Sequence, residues 1–175
     1  MHKSLILFSS IDGHTKSICK KISEHMGDNE VDIFPISKEF INLDEYKTII
    51  IGASIRYGKY RKELYKFIRK NQGCLDKKNN AFFSVNVVAR KSNKNTPETN
   101  PYLIKFLTNI DWVPKKVAVF AGKIEYPKYN FFDKYAIKFI MWITKGPTNT
   151  SKTYEFTNWG KVDLFAKNVL RSLET

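Results

Sequence analysis

An open, doubly wound α/β sheet is the fold class that this chain predicts. Three observations carry it. Five apolar runs are too short for helices, segments of helical period lie between them, and no Pro/Gly/Ser-rich linker, low-complexity tract or internal repeat divides the 175 residues. With 42% hydrophobic and 14% aromatic residues, the chain has material for one compact domain over residues 1–175 with its own core.

The runs are Ser4 to Phe8, Val31 to Phe34, Thr48 to Ile51, Ala81 to Val88 and Val117 to Ala121, each bounded by polar or Gly-containing turns. Continuous rather than alternating apolar character is what parallel strands buried on both faces show. After the first run, Ile18, Ile22 and Met26 recur at i, i+4, i+8, one stripe of a helix. Ser37 to Glu45 holds no long helical pattern and reads as a loop with room for one turn. Tyr60, Leu64, Phe67 and Ile68 mark a second helix, and Leu103, Phe106, Leu107 and Ile110 a third. Val162, Phe165, Ala166, Val169 and Leu173 form the last, with Thr157 or Asn158 as its N-cap.

Ligands of such sheets bind beyond the carboxyl ends of the strands, near the topological switch point. The loops to inspect are therefore Ser9 to Thr15, Ala53 to Gly58, Ser84 to Arg90, and the chain from Gly122 onward. The first loop lacks both GxxxxGK[ST] and GxGxxG. It offers Ser9, Ser10, Gly13 and Thr15 just before a helix, whose N-terminus presents unpaired N–H groups and a partial positive charge. A phosphate can be held there by main-chain donors and hydroxyls without Lys or Arg. Asp12 is expected to turn its carboxylate away, capping the helix while its own N–H faces inward. The same residues would equally open an ordinary capped helix that holds no ligand.

The run Ile6, Leu7, Phe8, Ser9, Ser10, Ile11, Asp12, Gly13, His14, Thr15 resembles the flavodoxin signature, in which an aromatic strand end leads into S/T-x-x-G-x-T around the phosphate of FMN. "IIIGASIRYGKY", "FFSVNVVARK", "TPETNPY" and "EYPKYNFFDKYAIKFIMW" are similar to one branch of that fold, the flavodoxin-like protoporphyrinogen oxidases, and the likeness runs nearly end to end. The resemblance implies strand order 2-1-3-4-5; the sequence itself, in which the fifth strand stops near Gly122 and a strand-like "TYEFT" resumes before the last helix, predicts an insertion interrupting that strand. The resemblance implies FMN as cofactor, its phosphate on Ser9, Ser10, Ile11, Asp12, Gly13, His14 and Thr15. The isoalloxazine ring would lie between Ala53, Ser54, Ile55, Arg56, Tyr57, Gly58 and Ser84, Val85, Asn86, Val87, Val88, Ala89, Arg90. It further implies oxidation of protoporphyrinogen IX to protoporphyrin IX in heme biosynthesis, with electrons passed to menaquinone or ubiquinone. The flavin carries that chemistry, so no side chain need be a catalytic nucleophile or metal ligand. His14 is expected to contribute backbone and leave its ring exposed; His2 and His25 lie outside the loops. Arg56, Arg90, Lys91 and Lys123 are the candidates for substrate propionates, because cations at the mouth suit carboxylates.

Residues 123–151 are an excursion that the fold does not require. Tyr126, Tyr129, Phe131, Phe132, Tyr135, Phe139 and Trp142 sit among Lys123, Lys128, Lys134, Lys138 and Lys145, too aromatic for a disordered loop. Phe131 to Thr144 reads as a helix apolar around most of its circumference. Fourteen residues fall short of the ~20 that cross a bilayer. Such a helix can lie on an anionic membrane surface with its Lys near lipid phosphates, or pack against the sheet edge or a second copy.

Thirty Lys and Arg against seventeen Asp and Glu give +13, which favours anionic partners. No nucleic-acid motif accompanies that charge, so no nucleic acid is expected as a partner. The charge and the excursion also argue against a plain flavodoxin-type electron carrier; an NAD(P)H:quinone reductase is the other alternative. "MHKSLILFSS" is too short in apolar residues for a signal-peptide core, so the expected place is the cytoplasm, peripherally associated with the inner (cell) membrane. Cys19 and Cys74 have no ligand or redox spacing and read as small apolar residues.

Overall fold

The structure, a computed structural model, describes residues 3–27 and 30–171. Five strands, β1 (Ser4–Ser9), β2 (Val31–Pro35), β3 (Thr48–Ser54), β4 (Asn79–Val85) and β5 (Lys116–Phe120), form one parallel sheet in the order β2-β1-β3-β4-β5. Ser4 aligns with Val31 on one side and Thr48 on the other, which brings the carboxyl ends of β1 and β3 level at Ser9 and Ala53.

Helices cover both faces. Leu5, Leu7, Ile49, Ile51 and Phe82 point to α2 (Lys62–Lys77) and α3 (Pro101–Thr108), where Leu64, Ile68, Leu103 and Phe106 meet them. The intervening Ile6, Ile50 and Phe83 point the other way, to Ile18 and Ile22 of α1 (His14–Ser23) and Val162, Phe165 and Ala166 of α5 (Trp159–Arg171). This period-2 division explains why the runs are apolar throughout. Each fully buried Leu, Ile or Phe contributes ~1.5–3 kcal/mol. Gly52 faces Phe83 across the β3–β4 pair, and a Cβ there would lie 2.1 Å from the ring, so only glycine admits that aromatic.

The expected helices and strands are present, with informative departures. β4 stops at Val85, because the Asn86 side chain accepts from Ala89 N–H at 3.1 Å and turns Val87–Arg90 into a 3-10 helix. Met26 and Ile110 lie past the ends of their helices; Met26 is nonetheless fully buried. The loop after β2 holds one 3-10 turn, Leu43–Glu45. Asn158, not Thr157, caps α5, accepting from Lys161 N–H at 3.1 Å. Leu173 and His2 lie outside the described residues.

The fifth strand is not split and resumed as expected. After β5 the chain leaves the sheet, and β7 (Thr153–Glu155) pairs antiparallel with β6 (Lys123–Glu125) in a separate ribbon. A returning segment can pair antiparallel directly, whereas rejoining the parallel sheet requires a crossover. Between β6 and β7 the excursion carries a 3-10 turn, Tyr126–Lys128, and α4 (Phe131–Ile143).

Candidate functional site at the carboxyl ends of β1, β3 and β4

The loop after β1 places Gly13 at the N-cap of α1 in the left-handed region, φ +81°, where a glycine avoids the Cβ penalty. No side chain caps α1. Asp12 therefore does not play the capping role expected of it: its carboxylate accepts from Arg56 Nη1 at 2.9 and 3.1 Å. An uncapped helix start leaves first-turn N–H groups open to a ligand. Ser10 Oγ accepts from Gly13 N–H at 3.1 Å and fixes the loop. Thr15 is 1% exposed, and its hydroxyl has no hydrogen-bond partner among the described residues. Among those residues Ser4 Oγ and Trp112 Nε1 are also unpartnered, elsewhere in the fold, but the Thr15 hydroxyl lines the cavity at these strand ends and is open to a ligand or a water there.

His14 departs from its expected exposed ring. It is half-buried, packs edge-on to Trp159 with centroids 5.9 Å apart, and sets Nε2 2.7 Å from Thr157 Oγ1. The Thr157 hydroxyl spends its proton on Ala121 C=O at 2.8 Å, so Nε2–H is the donor and the tautomer is fixed. Burial pushes the His14 pKa below its ordinary value.

The loop after β3 is tight. Arg56 and Lys59 exchange two backbone hydrogen bonds of 3.1 Å around Tyr57 and Gly58, both with positive φ. Ser54 Oγ donates to Ser9 C=O at 3.3 Å, and Ile55 N–H to Val85 C=O at 2.9 Å, which ties the three strand ends together. Arg56 Nη2 donates to Asp133 of α4 at 2.7 Å, and the Tyr57 hydroxyl donates to the same carboxylate. Burial alone would lower the Arg56 pKa, but Asp12 and Asp133 outweigh it and raise it. The bond to Asp133 is the main cause raising that of Tyr57.

The loop after β4 mirrors this arrangement. Arg90 donates through Nη1 to Val87 C=O at 3.1 Å and through Nη2 to the carbonyl and hydroxyl of Thr144, each at 2.9 Å. Thr144 is the C-cap of α4, so the guanidinium also meets the negative end of the helix dipole. Asp133, in the first turn of α4, meets Arg56 at the opposite end. One arginine from each of the loops after β3 and β4 thus holds one end of α4.

The cavity at these strand ends is lined by Ser10, Ile11, Asp12, His14, Thr15, Ser54, Ile55, Arg56, Val85, Asn86, Val87, Gly122 and Lys123, with Ile124, Tyr129 and Ile137 of the excursion closing one side. A second slot beside it, of similar volume, receives Tyr57, Gly58, Val88 and Arg90. Ala53 and Ser84 are fully buried below the cavity, and the Ser84 hydroxyl accepts from Tyr60 at 2.7 Å. Ser9 is buried, and Ala89 is buried behind the β4 turn. Lys123 pairs with Glu125 at 3.1 Å, and Lys91 is half-buried beside the turn. The sequence reading missed Ile124, Tyr129, Ile137, Asp133 and Thr157. Their aromatic and helical spacing was visible, but nothing in it shows which face folds back over the sheet.

α4 has two unlike faces. Met141 is 1% exposed against Ile124 and Tyr126, whereas Phe131, Phe132, Tyr135, Phe139, Trp142 and Ile143 stand outward, Phe132 at 83% and Trp142 at 69%. Among the described residues no helix is long and apolar enough to cross a membrane, and no cluster of side chains could hold a metal ion.

The flavodoxin domain family matches residues 5–151. A protein of Escherichia coli strain K12 named protoporphyrinogen IX dehydrogenase [quinone] is 39% identical over 170 residues, 95% of this chain and 94% of that one. The chain belongs to the flavodoxin-domain protoporphyrinogen IX dehydrogenases. A second member of this oxidoreductase family, from Leishmania major and bearing the same name, is 40% identical over 171 residues, 95% of this chain and 74% of its own. Among solved structures, flavodoxin 1 from Bacillus cereus aligns over 97% of both chains with a TM-score of 0.55 at 16% identity. A flavodoxin from the domain Archaea aligns over 99% of both with 0.56 at 12%; at such identities these two establish this dehydrogenase-family chain's fold alone.

Proposed function

We propose that this chain binds FMN and oxidises protoporphyrinogen IX to protoporphyrin IX, passing the electrons to a membrane quinone from a position on an anionic membrane surface. The observation that carries the reading is the joint presence of 39% identity over 95% of the chain to a relative of that name and a loop that fits the cofactor's phosphate. The fit rests on the uncapped α1 terminus, Gly13 at φ +81°, and the buried, unpartnered Thr15 hydroxyl. Main-chain N–H groups of the first helical turn with the Ser10 and Thr15 hydroxyls would hold the phosphate. The loops Ser54 to Gly58 and Val85 to Val88 would hold the ring, the second with backbone close enough for Gly122 to pack beside Val85.

When bound, FMN supplies a redox centre able to take up two electrons at a time, which serves a six-electron oxidation in successive rounds. The chain's own residues bind, orient and exclude water. Arg56 and Arg90 hold α4 across the mouth, and Tyr129, Ile124 and Ile137 cover the side that solvent would otherwise reach. With both guanidinium groups turned to α4 and Lys123 paired with Glu125, Lys91 is the candidate cation left to meet substrate carboxylates. The outward aromatics of α4, with Lys134 and Lys138 on its flank, supply the lipid-facing surface.

The test is a spectrum and a turnover assay. Purified protein should show the yellow absorbance bands of bound flavin and should oxidise protoporphyrinogen IX when a soluble quinone is added. Protein that stays colourless with added FMN, or holds FMN and turns over only with NADH, overturns the proposal.

A further inference from the structure

Beside the main cavity, between the ring loops and the inner face of α4, lies a slot of about 110 Å³. Its lining includes Val88, Tyr102, Ile137, Ile140 and Met141, with Arg90 as its charged member. Val87, Asn86, Ile55, Ile124 and Ile137 border both spaces, so whatever fills the slot lies against the walls that would hold a flavin ring. We propose that this slot receives the ring of the quinone acceptor, with the Arg90 guanidinium facing one quinone carbonyl; the inference rests on the function proposed above.

Size narrows the occupant. The slot and the main cavity are alike in volume, about 110 and 100 Å³, both below the ~300–1,000 Å³ of pockets that enclose drug-sized ligands, so each suits the edge of a flat ring and neither encloses a whole tetrapyrrole. Charge points the same way. A porphyrinogen brings carboxylates, and the slot offers a single guanidinium already bonded to Thr144 and Val87, with donors to spare for a neutral carbonyl but not for several anions. Continuity supplies the third reason. Ile140 lines the slot and is also 43% exposed, beside the exposed Phe139 and Ile143 in sequence, so one apolar side chain belongs both to the slot and to the outer surface of α4. An isoprenoid tail leaving past Ile140 would stay in apolar surroundings as far as the lipid.

Two measurements on FMN-loaded protein test this. With 13C-methyl methionine labelling, menadione, a soluble naphthoquinone, should shift the Met141 methyl resonance and leave that of Met26, buried under α1, in place. In Ile140→Trp, whose indole would fill the slot at a side chain outside the cofactor loops, that shift should vanish. Reoxidation of the reduced protein by menadione should then slow about tenfold or more, while ferricyanide, which needs no slot, reoxidises it within about twofold. A Met141 methyl that stays put although menadione reoxidises the wild-type protein overturns the slot alone. So does Ile140→Trp reacting at the wild-type rate, slowing equally with both oxidants, or a porphyrin dicarboxylate producing the Met141 shift. Wild-type protein that holds no FMN, or that no quinone reoxidises, instead brings down the function on which the inference depends.

Discussion

The loop after β1 and the α4 excursion do opposite structural jobs at one cavity. The loop is shaped by main chain: a left-handed glycine, a Ser10 hydroxyl and an uncapped helix start, all within seven residues. The excursion is held by side chains that reach across the sequence, Arg56 to Asp133 over 77 positions and Arg90 to Thr144 over 54. Local backbone geometry makes a site that resists substitution of its charges. One long-range ion pair and one long-range set of hydrogen bonds hold a cover that shares few contacts with the loop beneath it.

Gly13→Val should break the first region most completely. No atom lies within 4 Å of the new Cβ, so the cost comes from forcing a β-branched residue to φ +81° and from the ligand it would displace. FMN affinity measured by flavin fluorescence should fall about a hundredfold or more, since a left-handed L-residue costs ~1–2 kcal/mol before any clash with ligand.

Phe132→Ser with Trp142→Ser attacks the second region from outside. At ~1.5–3 kcal/mol for each large apolar side chain buried, partition onto anionic vesicles should drop about thirtyfold or more while FMN titration is unchanged. Equal vesicle binding would mean that this face meets something other than lipid.

Arg56→Met sharpens the contrast, because it detaches the N-terminal end of α4 and leaves Asp12 and Asp133 without their shared cation. The pair is only partly buried, so a loss of ~1–2 kcal/mol is expected, between the values for exposed and fully buried ion pairs. Amide exchange should quicken in α4 and not in β1, β3 or β4. Exchange that quickens throughout the sheet would show the two regions to be one cooperative unit.

Thr15→Val keeps the shape and removes the unpartnered hydroxyl. Without FMN the thermal midpoint should hold or rise slightly, and with FMN the affinity should fall about tenfold, near the ~1–2 kcal/mol of a hydrogen bond to a charged group. A variant that loses stability without ligand would show that the hydroxyl serves the fold instead.

The smallest effect concerns pH. Burial holds the His14 pKa below its unfolded value, so the unfolded chain takes up the proton first as pH falls. The stabilisation is present above about pH 6.5 and is lost as pH drops from there toward the folded-state pKa. The thermal midpoint should decline over that window and decline less in His14→Gln, whose amide can keep the donor to Thr157.

Much of this was readable in advance because its causes are local. The apolar runs and the 3.6-residue stripes placed β1 to β5 and all five helices, and the loops at the strand ends followed from the fold class. Asp12 was misread because an acid before a helix normally caps it; its partner, Arg56, is 44 residues away and enters the loop only once β1 and β3 are paired. His14 was misread for the same reason, its partner being Thr157 at the far end of the chain. The α4 helix was legible as aromatic and basic, but which of its faces turned inward depended on Asp133 and Thr144, two modest residues whose importance lies wholly in what meets them.

The two arginines also make α4 a mechanical element. Each guanidinium belongs to a loop at a strand end and grips one end of a thirteen-residue rod, like the two hinges of a shutter. A load on that rod would therefore reach both walls of the cavity together, through Asp133 at one end and Thr144 at the other.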